Sequence, residues 1–219
     1  MPSTLAQAVA GLVEPRLPVG LPDRARLAAD LGRFCEVLAA TNEQLNLTGI
    51  TDPEGMAVRH VLDSLTLLPL LQDAPSIMDF GSGGGVPGLP LALALPGPQV
   101  TLVESRERKA AALDRMVREL GLFPRVRAEH ARGEVWLAEN RVHTVVVRAV
   151  GDTAELLERA RKGRKNFSQL ILMKGPSVDE ELAVVEPRLK RLGFAPPERH
   201  EAELPGDAGR RVLLVFRPV

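Results

Sequence analysis

The run Asp79-Phe80-Gly81-Ser82-Gly83-Gly84-Gly85-Val86-Pro87-Gly88 leaves this chain few folds to choose from. It follows a short β-rich stretch at 76–80 and precedes an apolar segment of helical character at 87–95. Glycines there allow positive φ and let other groups approach the backbone closely. A glycine-rich strand-to-helix turn of this kind forms one side of the ligand crevice in doubly wound sheets. Further strand patterns occur at 99–104, 125–130, 143–149, 169–173 and 212–217. Helical patterns fill the gaps at 106–120, 153–162 and 178–192, the last closed by Gly193. Short β-rich runs separated by helices imply parallel βαβ units with right-handed crossovers. Pro205-Gly206-Asp207 ahead of the last strand reads as part of a hairpin, so an antiparallel C-terminal edge is expected. The expected class is α/β, with a mostly parallel sheet.

Residues 1–72 read differently. Leu27, Leu31, Phe34 and Leu38 recur at helical spacing, with Val37 widening the stripe. Asp52-Pro53-Glu54 is a sound helix start, Asp as N-cap and Pro in the first helical position. Val58, Val61, Leu62, Leu65 and Leu68 mark the buried side of that helix. The expected organisation is a helical extension, 1–72, packed on an α/β domain at 73–219.

Composition closes off several classes. Formal net charge is zero, so no global field advertises a polyanionic partner. Aromatic residues make up 3% of the chain, too few for a protein that holds single strands mainly by base stacking. The one cysteine, Cys35, cannot form an internal disulfide and sits on an apolar helix, where core packing is its expected role, as it is for Trp136. The N-terminus lacks the basic and apolar regions of a signal peptide, and no apolar run approaches the roughly 20 residues that cross a bilayer. A cytoplasmic, non-membrane protein is expected, with a monomer as the default state.

Two ligand classes compete for the glycine loop. Gly83-Gly84-Gly85-Val86-Pro87-Gly88 formally satisfies G-x-G-x-x-G, a weak dinucleotide signal on its own. A pyrophosphate wants free backbone N–H groups at the following helix's N-terminus, and Pro87 and Pro90 supply none. The overlapping pattern Asp79-x-Gly81-x-Gly83-x-Gly85 instead resembles the first motif of Rossmann-like S-adenosylmethionine methyltransferases. An acidic strand end suits a ligand carrying an ammonium and a sulfonium. Glu104, closing the next strand, is placed to accept both hydroxyls of an adenosine ribose, or else to serve as a carboxylate at a helix N-terminus.

The chain as a whole resembles the ribosomal RNA small subunit methyltransferase G family, also called glucose-inhibited division protein B. The resemblance rests on Asn46-Leu47-Thr48, Arg59-His60-Val61-Leu62-Asp63-Ser64-Leu65, the loop from Gly81 to Pro90, Arg148-Ala149 and Lys174-Gly175. It implies methyl transfer from S-adenosylmethionine to N7 of a guanine in the 530 loop of 16S ribosomal RNA. It also implies cofactor contacts at Gly81 and Val86, adenine-side contacts at Gly133 and Glu134, and a role for Arg148. Val147 and Gly133 depart from the usual serine and alanine. Guanine N7 carries a free lone pair, so its methylation needs no general base, only in-line positioning and charge management. The Asn/Asp-Pro-Pro-aromatic motif of amino-group enzymes is absent, since Val147-Arg148-Ala149-Val150 occupies that place.

Arg148 and Lys174, at the ends of the fourth and fifth strands, should face the crevice. His60 and Asp63, three apart, share one helix face. Together these four are the expected catalytic set. Arg159, Arg161, Lys162, Arg164 and Lys165 form a basic cluster suited to phosphate contacts, or else a solvated helix end; Arg106, Arg108 and Lys109 form a second. The competing readings are another RNA methyltransferase, including ribose 2′-O transfer through Lys174, and a non-enzymatic ribosome assembly factor.

Overall fold

The computed structural model describes residues 2–219, apart from the Asp207 side chain; Met1, the first residue of the expected extension, lies outside them. Seven strands form one sheet: β1 (Ser76–Phe80), β2 (Gln99–Glu104), β3 (Val126–His130), β4 (Thr144–Arg148), β5 (Gln169–Lys174), β6 (Glu198–Glu203) and β7 (Arg210–Phe216). Their order is β3-β2-β1-β4-β5-β7-β6. Strands β1 to β5 are parallel, and β7 enters antiparallel between β5 and β6. The order reverses at β1, so the C-terminal ends of β1 and β4 flank the crevice where such sheets bind ligands.

Alternation along each strand sorts the two faces. Ile77, Val100, Leu102, Val146 and Ile171 point to one core, which they share with Leu31, Phe34, Leu38, Val61 and Leu65 of the preceding helices. Met78, Phe80, Val103, Val145, Val147 and Leu172 point to the other. Helices α1 (Thr4–Val13), α2 (Arg24–Leu45), α3 (53–65), α4 (Gly88–Ala94) and α5 (Glu107–Glu119) cover the first face. Helices α6 (Gly133–Glu139), α7 (Thr153–Ala160), α8 (Val178–Val185) and α9 (Leu189–Leu192) cover the second. Among the described residues, no helix is long and apolar enough to cross a membrane.

Three elements depart from expectation. Helix α3 starts where Asp52 caps the Gly55 N–H (2.7 Å) and Pro53 takes the first position, but Met56–Leu62 winds as a π-helix. Helix α6 was not anticipated, because only Gly133 and Leu137 of its seven residues are buried. Strand β6, not β7, is the sheet's edge; its sequence Glu-Arg-His-Glu-Ala-Glu has no apolar alternation and is exposed along almost its whole length. Charged edges of this kind discourage pairing with other chains.

The extension is held by a close helix crossing. A Cβ at Gly32 on α2 would collide with the backbone carbonyl of Ala6 on α1. At an open helical site, Gly→Ala stabilises by about 1 kcal/mol. Here the collision with backbone outweighs that gain. Gly32→Ala should destabilise the fold by about 1–3 kcal/mol in urea unfolding, with an unchanged m-value.

Candidate functional site

An open cleft of about 260 Å³ lies over the glycine loop, bounded by Leu47, Thr48, His60, Gly81, Gly83, Val86 and Arg148. The loop's own hydrogen bonds decide what it can still offer a ligand. The N–H groups of Gly81 and Ser82 donate to Val103 O, and those of Gly85 and Val86 to Ser82 O. Gly83 N–H donates to Glu104 Oε2 (3.0 Å) and Gly88 N–H to Asp79 Oδ2 (2.9 Å). Leu89 N–H and Leu91 N–H donate to Gly85 O and Pro87 O, while Pro87 and Pro90 have no N–H. The start of α4 is therefore already satisfied and makes a poor diphosphate cradle.

The loop glycines do different work. Gly81, at φ 75°, lets Val150 lean against it, for a Cβ there would sit 3.0 Å from the Val150 side chain. Gly85, at φ 83°, faces Leu89 and Leu113 in the core and does not line the cleft. Alternation along β1 sends Asp79 beneath the loop, fully buried, with its carboxylate against the N-terminus of α4. Burial pushes its pKa up to about 7, against the pull of the Gly88 N–H and Ser82. Asp79 is thus a brace under the loop. Glu104 is also mostly buried; its Oε1 accepts Arg106 N–H (2.8 Å) and the Ser105 hydroxyl (3.4 Å), so the lone pair left at the end of β2 is on Oε2.

Gly133 and Glu134 sit beside Glu104, whose carbonyl accepts Ala131 N–H (3.1 Å). A Cβ at Gly133 would strike the Phe80 ring, which explains the glycine where an alanine was expected. Burial pushes Glu134 up, but two hydrogen bonds from Arg159 (2.8 and 3.2 Å) outweigh it and hold the carboxyl below its ordinary range. Arg159 also lies over the Phe80 ring, 5.0 Å from its centroid. It is a structural partner of Glu134, withdrawn from the basic cluster.

The rest of that cluster lies far from the cleft. A helix after a parallel strand runs back along the sheet, so Arg161, Lys162 and Lys165 emerge at the strands' N-terminal end, while Arg164 is half-buried against Gly193 and is not free for phosphate. Asn166, in the same turn, hydrogen-bonds Leu137 O at the end of α6 and receives Val142 N–H just before β4. Five-residue strands separate the two ends by roughly 16 Å. Arg106 and Arg108, by contrast, are exposed at the crevice rim just after Glu104, with Lys109 half-buried beside them.

Of the expected catalytic residues, His60, Asp63 and Arg148 come together, while Lys174 stands apart. Asp63 is wholly buried on α3 and paired with two arginines from other elements. Arg211 on β7 grips it with two bonds (2.6 and 2.9 Å), and Arg148 Nε stands 3.4 Å away. Burial, with Arg211 nearby, shifts Arg148 downward despite Asp63. His60 Nε2 meets Thr48 Oγ1 at 2.9 Å, joining the Asn46-Leu47-Thr48 segment to α3. Burial, and then the charge of Arg148, push the imidazole down to about 4, so it is neutral at pH 7 and a weak base. His60 Nδ1 and Arg148 Nη1 are buried and lack a protein partner among the described residues, and both residues line the cleft. Such orphaned groups beside a cavity suit a polar ligand. Lys174 lines an adjoining cavity, where Glu181 binds its ammonium at 2.7 Å. Sequence reading missed Arg211 and Glu181. Cys35 is fully buried, and burial pushes its thiol up to about 12, which leaves it inert.

Residues 27–201 match the family model described as rRNA small subunit methyltransferase G. Ribosomal RNA small subunit methyltransferase G of Nitrosomonas europaea is 39% identical over 215 residues, covering 94% of this chain and 97% of that one. The Sorangium cellulosum protein of the same name is 41% identical, covering 79% and 74%. Among solved structures, a Geobacter sulfurreducens methyltransferase has a TM-score of 0.58 at 16% identity, covering 97% and 96%. M. capricolum TrmK, in complex with S-adenosyl-homocysteine, has a TM-score of 0.55 at 13% identity, covering 71% and 67%. At these identities the two structures speak for a shared fold, the Rossmann-like methyltransferase fold.

Two outcomes follow from the buried charges. A carboxyl raised by folding stabilises through its protonated form, a contribution complete below about pH 4 and lost as pH rises through about 7. Asp79→Asn keeps an oxygen for Gly88 N–H and cannot ionise, so melting curves should lose that part of the wild-type decline. Arg211→Met leaves Asp63 with Arg148 alone and should cost about 3 kcal/mol in chemical unfolding, the lower end for a broken buried pair.

Proposed function

This chain belongs to the rRNA small subunit methyltransferase G family, and from that premise we propose that it methylates N7 of a guanine in the 530 loop of 16S ribosomal RNA, with S-adenosylmethionine as donor. The observation that carries the N7 assignment is the character of the polar groups around the cleft. His60 is a weak base at about 4, Arg148 offers only donors, and Lys174 is engaged by Glu181. An amino or ribose hydroxyl acceptor would need a proton removed, whereas N7 carries its lone pair already.

The residues fit the donor molecule. Gly81, Gly83 and Val86 form a cleft floor with bare backbone for its amino-acid portion, and Glu104 Oε2 has a lone pair left for a ribose hydroxyl. In this reading Gly133 and Glu134, at the start of α6, take the adenine side. When bound, the donor supplies an electrophilic methyl carbon on a sulfonium. TrmK, with S-adenosyl-homocysteine in the same fold, supports this reading. Arg148 Nη1 and His60 Nδ1 provide the unpartnered polar atoms that orient ligands in the cleft. An arginine donor on guanine O6 positions the base without occupying N7. The pair Asp63–Arg211 holds Arg148 in place for that contact.

The RNA partner is met by separated basic groups. Arg106, Arg108 and Lys109 stand at the rim for phosphates near the target base, and Arg161, Lys162 and Lys165 stand at the far end of the sheet for a flanking segment. With few phosphates neutralised, affinity should fall with salt at a modest slope.

The deciding experiment incubates the protein with labelled donor and small subunits from a strain lacking the modification. Borohydride-dependent strand scission should place the label on a guanine N7 in the 530 loop. Label on an amino group or a ribose, or none at all, would refute the assignment. Arg148→Lys should lower kcat/KM by about 10–100-fold with the fold intact, since one donor point replaces a planar fork.

A further inference from the structure

The cleft over the glycine loop adjoins a second cavity of about 300 Å³, and Arg148, Ala149 and Val150 line both. The wall between them is the turn from β4 to α7. It holds Ala149 at φ 54° and Gly151 at φ 59°. A left-handed alanine costs of order 1–3 kcal/mol and persists only where its surroundings impose it.

One carboxylate oxygen gathers the bonds on the C-terminal side of this turn. Glu181 Oε2, on α8, accepts Thr153 N–H, Thr153 Oγ1–H and Lys174 Nζ, each at 2.7 Å. Lys174 Nζ donates in addition to Gly151 O at 3.2 Å. Thr153 is fully buried at the first turn of α7, and the Lys174 side chain is 11% exposed. Glu181 thus ties the C-terminal half of the dividing turn, at Gly151 and Thr153, to the end of β5. Val150, inside that turn, rests against Gly81 on the donor side. A shift of the turn would therefore alter both cavities together.

We propose that Glu181 is a positioning residue for methyl transfer: through Lys174 and Thr153 it fixes the turn at 149–152, and with it the approach of the acceptor base to the methyl donor. This rests on the methyl-transfer reading of the cleft. A pair that merely fastened α8 to the sheet would have no cause to converge on the one segment shared by both cavities. Misplacement by about 1 Å costs up to about 100-fold in rate without loss of binding.

Four variants of the full chain test this: Glu181→Ala, Glu181→Gln, Lys174→Met and the double variant E181A/K174M. With small subunits as acceptor, Glu181→Ala should lower kcat by about 10–100-fold while KM for subunits and calorimetric affinity for the donor stay near wild type. Glu181→Gln, whose amide oxygen still accepts from Thr153, should recover much of the loss. The double variant should be no worse than the poorer single one, as for residues acting through one contact. Hydrogen exchange at 149–152 should quicken in Glu181→Ala without any acceptor present. A variant that melts lower but keeps wild-type kcat, KM and exchange would overturn the proposal, as would fully multiplicative losses. Should the wild-type chain transfer nothing to these subunits, the acceptor reading falls and exchange decides the latch: faster at 149–152 upholds it, unchanged overturns it.

Discussion

One buried carboxylate joins the three parts of this molecule. Asp63 comes from the helical extension, Arg148 from the centre of the parallel sheet and Arg211 from its antiparallel margin. Taking a carboxylate out of water costs several kcal/mol, and only close, well-shaped partners return it. The two bonds from Arg211 meet that requirement. Arg148 is then held at the pair's edge with one nitrogen unspent, facing the cleft. Asp63, Arg148 and Arg211 taken by themselves carry one net positive charge. Stability and site geometry therefore rest on the same contact, and the extension is as much a part of the site as the sheet is.

The π-helical winding of Met56–Leu62 belongs to the same arrangement. Single π turns inside α-helices recur at functional sites. Here the segment brings His60 and Asp63, both buried, to the same neighbourhood: one meets Thr48, the other the arginines. A neutral histidine beside a cation is the cheaper state in that setting, and its depressed pKa expresses this. The site is consequently built of donors and a weak acceptor, a composition suited to orienting an acceptor that already has its lone pair.

Sequence reading reached the parallel strands, the glycine loop and the positions of Arg148 and Lys174 at strand ends, because period-2 apolar runs and local motifs carry those features. It lost what depends on two-sided exposure or on distance along the chain. Strand β6 and helix α6 bury too little to leave a periodic trace. Arg211 begins an apolar strand and looks like an edge charge, and only sheet order sets it opposite Asp63, 148 residues away. Glu181 stands in an acidic first turn, Asp179-Glu180-Glu181, that reads as ordinary helix-dipole compensation. The basic run at 159–165 looked like a single surface, yet the crossover carries it away from the cleft and turns Arg159 inward onto Glu134.

The acidic residues flanking the loop show why composition alone misleads about ligands. Asp79 and Glu104 read as direct partners for a cationic, hydroxyl-bearing molecule, but each first spends itself on the loop's backbone, Asp79 on Gly88 and Glu104 on Gly83 and Arg106. Their oxygens occupy the N–H groups of Gly83, Gly88 and Arg106. Occupied donors, as much as negative charge, make this loop a poor cradle for a diphosphate. Glu104 retains a lone pair at the rim and can serve both purposes, whereas Asp79, sealed beneath α4, acts on any ligand only through the shape it gives the loop.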